Sequence, residues 1–355
     1  MTFATDFHPT LLDMAKWAFT TRRVSQDDAA GMTSDFSKAK AGDLVLCEIL
    51  EIGQHKKIQL SDRRASTSYP GDLVVLCLGD RYAPDQFKAR AQINGSVLHL
   101  AAGGGIAGEV EAAHVRMEEP TSLRPLGLVT NRSGAVMNVA QYALPTLPGN
   151  ETATVIGVFG ASMNSGKTTA AASLAHGLRA AGYATAGIKA PGTGAFGDFN
   201  AFEDAGVPVM DFTDAGMATT YRMPLSRIEA GFDTLVSTAA NAGAEVVVVE
   251  IADGVFQQET RAILQGSRIR DRLDAILFAA PDALGVVGGG HVLEQHDLSP
   301  FAISGMVSCS PLATAEAEMA TGLPVLSRED LWDPQMIHHH VQPFIRAFKD
   351  ELSAA

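Results

Sequence analysis

The stretch Val155-Ile156-Gly157-Val158-Phe159-Gly160-Ala161-Ser162-Met163-Asn164-Ser165-Gly166-Lys167-Thr168-Thr169 is an apolar run that breaks into small residues and ends in Gly-Lys-Thr-Thr ahead of an alanine-rich stretch. It predicts a strand, a phosphate-binding loop and a helix. In such a loop backbone N–H groups surround phosphates, a lysine in the place of Lys167 reaches the outer phosphates and a hydroxyl in the place of Thr168 coordinates Mg²⁺. Gly160, Ala161, Ser162, Met163, Asn164, Ser165, Gly166, Lys167, Thr168 and Thr169 are therefore the candidate nucleotide-binding set. The match to G-x-x-x-x-G-K-[ST] departs at one place: Ala161 stands at the first glycine position, with Gly160 one residue earlier. Alanine fails there only if the backbone needs φ > 0.

From residue 152 onward, apolar runs alternate with helical patterns, and runs that are apolar throughout belong to a parallel sheet buried on both faces. The expected fold class is α/β: a P-loop domain with a mostly parallel sheet covered by helices on both faces, following a smaller N-terminal β-barrel or sandwich. The boundaries expected are an arm over 1–40, a small β domain over 41–119, a proline-containing connector over 120–150 and the P-loop domain over 151–355. The β domain is read from short runs at 44–52, 57–60, 73–78, 87–93, 97–101 and 108–116 between turn signals. Within it Arg81 and Tyr82 are candidate ligand contacts, the glycine loop 102–108 reads as turn chemistry, and His55, Lys56 and Lys57 as a solvated hairpin tip.

In open α/β sheets ligands bind beyond the carboxyl ends of the strands. Four such ends carry polar residues. The phosphate loop follows the first, and Lys189 ends the second before a glycine-containing loop. Asp211 and Asp214 follow the third, as candidates for a base or for Mg²⁺ and its water. The fourth, Val246-Val247-Val248-Val249-Glu250, has the pattern in which a carboxylate at a strand tip orients the metal. Lys167, Lys189, Asp211 and Asp214 are thus the expected catalytic residues, and Thr168, Glu250 and Asp214 the expected metal-site residues. Ser310 and Pro311 read as a helix cap and first turn, His338, His339 and His340 as a surface face, and 335–352 as a last helix.

The 355 residues carry a formal net charge of -13, which argues against a nucleic-acid surface. No apolar run approaches the roughly 20 residues that span a bilayer, and Asp6, His8 and Asp13 interrupt the stretch where a signal peptide would be apolar. A cytoplasmic protein without membrane or nucleic-acid partners is expected, acting on a small molecule, with a homodimer as the expected assembly. Cys47, Cys77 and Cys309 are widely spaced, with no C-x-x-C pair; they read as free thiols.

Together the segment 160–169, Ala186-Gly187-Ile188-Lys189 and Val249-Glu250 resemble the dethiobiotin synthetase-like branch of P-loop proteins. The molybdopterin-guanine dinucleotide GTPase family and the D-glutamate N-acetyltransferase family are similar in their strand-end patterns. The resemblance covers about 152–330 and implies a strand-end lysine and glutamate arranged around ATP, Mg²⁺ and a substrate carboxylate. Ser162 stands where dimeric switch ATPases of the nitrogenase iron-protein type carry an extra lysine, which sets this chain apart from them. Three functions follow. The first is an ATP- and Mg²⁺-dependent kinase or carboxylate-activating ligase. The second is an N-acyltransferase using the loop to hold the phosphates of acyl-CoA. The third is a regulatory NTPase, which the lack of an N-K-x-D guanine signature places last.

Overall fold

The computed structural model of the protein describes residues 10–346. Two compact units are present. Among the described residues the first comprises 10–144 together with 193–196 and 212–222; the second comprises 145–192, 197–211 and 223–346.

In the first unit, Leu44–Glu51 lies between Leu73–Leu78 and Ser122–Thr130, and the pairing continues through Leu98–Ala102 to Ile106–Ala113. Ile106–Ala113 then pairs back onto Leu73–Leu78. Five strands close a ring, so of the two architectures expected the unit is a barrel. Closure buries both faces: Val45, Cys47, Ile49, Val74 and Leu76 share one core with Leu98, Leu123 and Leu128, while the alternating Leu44, Leu46, Val75 and Cys77 share another with Trp17 and Met137. Within the stretch expected as an arm, Thr10–Met14 is a short helix, after which Lys16–Trp17 pairs in parallel with Leu73–Leu78. The stretch 120–150, read as a connector, supplies the longest strand of this unit, Ser122–Thr130. Pro125 is tolerated because the register shifts between Pro125 and Gly127, a bulge where a missing donor is not missed.

Arg81 serves within the barrel as an internal clip. It is buried, donating to the Ala101 carbonyl and, at 2.7 Å, to Gln86 Oε1, and Tyr82 lies 5.5 Å from the Tyr221 ring. His55 is likewise no solvated tip. It is half-buried with its ring 5.7 Å from Phe87 and its Nδ1 sealed from solvent. Burial, aided by the Arg81 charge, pushes its pKa down to about 4. In the glycine loop, a side chain at Gly104 would fall 1.9 Å from the Gly194 carbonyl, so close backbone approach accounts for the glycine.

The second unit is an all-parallel six-stranded sheet. Its elements run β1 Thr154–Gly160, α1 Lys167–Ala180, β2 Thr185–Lys189, α2 Phe196–Asp204, β3 Val209–Asp211, α3 Leu225–Asn241, β4 Val246–Glu250, α4 Gln258–Gln265, α5 Arg268–Arg272, β5 Ala275–Ala279, α6 Ala283–Glu294, β6 Ala302–Ser304, α7 Pro311–Thr321, α8 Arg328–Trp332 and α9 Pro334–Val341. The strand order is β3-β2-β4-β1-β5-β6. On one face Ile156, Val158, Val246, Val248 and Leu277 form a core with Leu174 and Leu178 of α1; on the other, Val155, Phe159, Val247 and Val249 are equally buried. That double burial is why these strands read as unbroken apolar runs. Small residues set the helix approach: a side chain at Gly289 of α6 would enter the Phe278 ring, and one at Gly177 of α1 would meet the Leu331 carbonyl at 2.1 Å. Ser310 caps α7 with Pro311 in its first turn. His338, His339 and His340 lie inside α9, with His338 Nδ1 2.8 Å from the Tyr183 hydroxyl. The helix expected to Leu352 ends at Val341, and 347–352 lie outside the described residues. No described helix is long and apolar enough to cross a membrane.

Candidate phosphate and metal site

The chain winds to one side of β1 through β2, β3 and β4, then crosses it to β5 and β6. β1 is therefore where the winding reverses, the place at which ligands collect in such sheets. The loop that follows β1 is tied from within. Ser165, wholly buried, donates its hydroxyl to the Ser162 carbonyl at 2.6 Å and accepts from the Ser162 N–H at 2.9 Å. Its neighbours tie it from outside: Ala161 N–H donates to the Ala279 carbonyl at 2.9 Å, and Met306 N–H to the Ser165 carbonyl at 3.0 Å. Positive φ falls on Asn164 and Gly166, not on Ala161, so the alanine at the first glycine position costs nothing. Gly160 is the position that cannot carry a side chain, since a Cβ there would stand 2.7 Å from Lys167 Cδ. The glycine thus lets the lysine lie back along its own strand.

Lys167 opens α1 and is 6% exposed, with its ammonium on the Ser162 carbonyl at 2.8 Å. Burial lowers its pKa; the carboxylates of Glu250 and Asp253 pull the other way and Lys189 adds to the lowering. A lysine held at that cost in a loop of small residues has its worth in an anion that arrives later.

Register explains the rest. Val158, Glu250, Lys189 and Asp211 are consecutive Cα partners across β1, β4, β2 and β3, so their side chains share the sheet face that α1 covers. Thr168 Oγ1 lies 3.0 Å from Glu250 Oε1 and 3.0 Å from Asp198 Oδ1. A hydroxyl has one proton, so it satisfies only one of the two carboxylates. Glu250 is 2% exposed, and its Oε2 is buried with no hydrogen-bond partner. An unsatisfied buried carboxylate oxygen beside a threonine hydroxyl fits a hard divalent cation, which takes oxygen ligands and shares them with phosphates. Among the described residues no three His, Cys, Asp or Glu side chains form a metal cage by themselves. Mg²⁺, which keeps waters and borrows phosphate oxygens, needs no such cage. Lys189 Nζ donates to Asp198 and lies 4.0 Å from Glu250 Oε1. Met163, Asn164, Lys167, Thr168, Thr169, Lys189, Asp198, Glu250 and Asp253 line one cavity of about 370 Å³.

Two expected residues are placed elsewhere. Asp211 is buried at the end of β3 and is not among the residues lining this cavity. Asp214 belongs to the segment that folds with the first unit, where Arg22 Nη2 holds its carboxylate at 2.6 Å and Arg23 Nη1 stands at 3.7 Å. Two guanidinium groups within the first unit thus account for an acid at 214 without the metal and base roles expected of it. The residue that sequence reasoning missed is Asp198. Its signal was faint: an acid nine positions after Lys189, in the first turn of a short helix, where a helix-dipole role accounts for it equally well.

No family model and no curated protein matches the chain. Among solved structures it is similar to the signal recognition particle 54 kDa protein from Aeropyrum pernix K1 in complex with GDP, at 18% identity and a TM-score of 0.37 over 59% of this chain and 50% of that one. The chain thus spans half the length of that protein. It is similar also to the signal recognition particle receptor FtsY from Elizabethkingia anophelis in complex with GDP (17%, TM-score 0.38, 57% of this chain and 67% of that one) and to HypB from Helicobacter pylori in complex with nickel (13%, TM-score 0.35, 57% and 89%).

Proposed function

We propose that the second unit binds a Mg²⁺-nucleotide and transfers its terminal phosphoryl group to a small molecule, as a kinase or as a ligase that activates a carboxylate. The observation that carries this reading is the pair Thr168–Glu250 with the buried, unpartnered Glu250 Oε2. A loop that only held the phosphates of acyl-CoA would need no metal-binding oxygen at that place. ATP is the nucleotide proposed, since the sequence carries no guanine signature, and the dethiobiotin synthetase-like branch remains the family reading.

In this account the N–H groups of residues 161–168 and the amino end of α1 hold the β-phosphate. Lys167 exchanges the Ser162 carbonyl for a phosphate oxygen and neutralises charge on the transferred group. Thr168 and Glu250, with Asp198 beside them, would hold the cation, which would supply charge neutralisation to the transferred group. An acceptor oxygen attacks the γ-phosphorus as its bond to the β–γ bridging oxygen breaks. A carboxylate acceptor brings no proton, so it needs no base at Asp211 or Asp214. Lys189 is given the role of orienting the acceptor.

Calorimetry on the full chain tests this directly. ATP should bind with Mg²⁺ present and lose affinity when the metal is chelated. Binding of acetyl-CoA with no binding of ATP or GTP would replace this reading with the acyltransferase one.

A further inference from the structure

Lys189 reaches the oxygens that the preceding section gives to a cation. Its ammonium donates to Asp198 and lies 4.0 Å from Glu250 Oε1, with side chains 13% exposed for the lysine and 3% for the glutamate. Asp198 Oδ1 and Glu250 Oε1 also share the single proton of Thr168. Lys167 is the other cation nearby, held on the Ser162 carbonyl, and Asp253 the other carboxylate of the cavity. A divalent cation among these oxygens would stand within a few ångströms of the Lys189 ammonium, in surroundings where charges interact more strongly than in water. Two positive centres do not share one carboxylate pair at that range. The lysine is the one free to yield, because it is a point charge on a flexible four-carbon stem.

We propose that Lys189 is an internal counter-ion that exchanges with the divalent cation: it pairs with Asp198 and Glu250 until the cation binds, and loading the site turns its ammonium out toward the acceptor. The lysine thus offsets one of the two carboxylate charges before the cation arrives, and the acceptor-binding lysine is presented only once the nucleotide is in place. This rests on the reading under Proposed function.

The test uses the full chain and Mn²⁺ alone, counted by electron paramagnetic resonance. Lys189→Met, which keeps the stem and removes the charge, should bind Mn²⁺ about tenfold more tightly than the wild type. Lys189→Arg should bind it as the wild type does. Equal or weaker Mn²⁺ binding by Lys189→Met overturns the proposal. A second measurement needs no variant: acetylation of Lys189 by an amine-reactive ester, read by mass spectrometry, should rise several-fold when Mg²⁺ and ADP are added, and unchanged or reduced labelling overturns it as well. If the wild type binds neither Mn²⁺ nor ADP, the proposed function itself has failed. If it binds both while Lys189 behaves otherwise, only the exchange has failed.

Discussion

At the scale of single residues, the site separates groups that touch phosphate from groups that shape the loop. Lys167→Ala should abolish nucleotide binding, with at least a hundredfold rise in Kd, while the circular dichroism spectrum is retained. Retained affinity would remove the loop from the account. Glu250→Gln keeps the volume and removes the charge; the Mg²⁺ concentration for half-saturation should rise about tenfold with nucleotide still bound. Gly160→Ala is the sharper probe of geometry. Its methyl would stand 2.7 Å from Lys167 Cδ, so nucleotide affinity should fall with little change in Tm. Ala161→Gly should leave affinity unchanged, because Ala161 does not need a left-handed backbone. That one departure from the motif was readable as harmless, and the need for glycine at 160 was not, since it comes from the path of a side chain seven residues later.

At the scale of elements, the register of four strand tips makes the site. A one-residue slip of β4 would turn Glu250 to the opposite face of the sheet. The four valines of β4 would tolerate such a slip, since both faces are buried and apolar; what opposes it is Glu250, whose carboxylate would then enter the opposite apolar face. The helix behind the loop is fixed by contact: Gly177 of α1 lies against α8, where a side chain would meet the Leu331 carbonyl at 2.1 Å. Gly177→Ala should therefore cost about 1–3 kcal/mol in chemical denaturation, where an alanine in an exposed helix would stabilise. A neutral or stabilising result would show that α8 does not sit against α1 as described. The alternation of strands and helices was legible from residue 152 onward because each strand is apolar throughout. The strand Ser122–Thr130 was not, because its Pro125 reads as a breaker until the bulge that accommodates it is seen.

At the scale of the whole molecule, long-range pairing is what the sequence conceals. The segments 193–196 and 212–222 fold with the first unit: Gly194 N–H donates to the Ala218 carbonyl at 3.0 Å, and Phe196 N–H to Gln59 Oε1 at 2.7 Å. Nothing local marks those partners: Asp214 reads only as a carboxylate beyond a strand end, and its pairing with Arg22, 192 positions away, leaves no trace around it. The barrel predicts an acid sensitivity. His55 has its pKa lowered to about 4 from the ordinary 6.5 of an exposed imidazole, so between those values the unfolded chain binds more protons than the folded one. Stability that is full above about pH 6.5 should be lost as the pH falls toward 4. The denaturation midpoint should drop over that range, and His55→Gln should flatten the slope; an unchanged slope would show that His55 is not held neutral. The central claim is that the loop at 160–169 serves a metal-bound nucleotide. Titration calorimetry of the wild-type chain with ATP, with and without Mg²⁺ and against acetyl-CoA, tests it most directly. The account predicts Mg²⁺-dependent ATP binding that Lys167→Ala abolishes and no binding of acetyl-CoA; metal-independent binding of acetyl-CoA with none of ATP or GTP would contradict it.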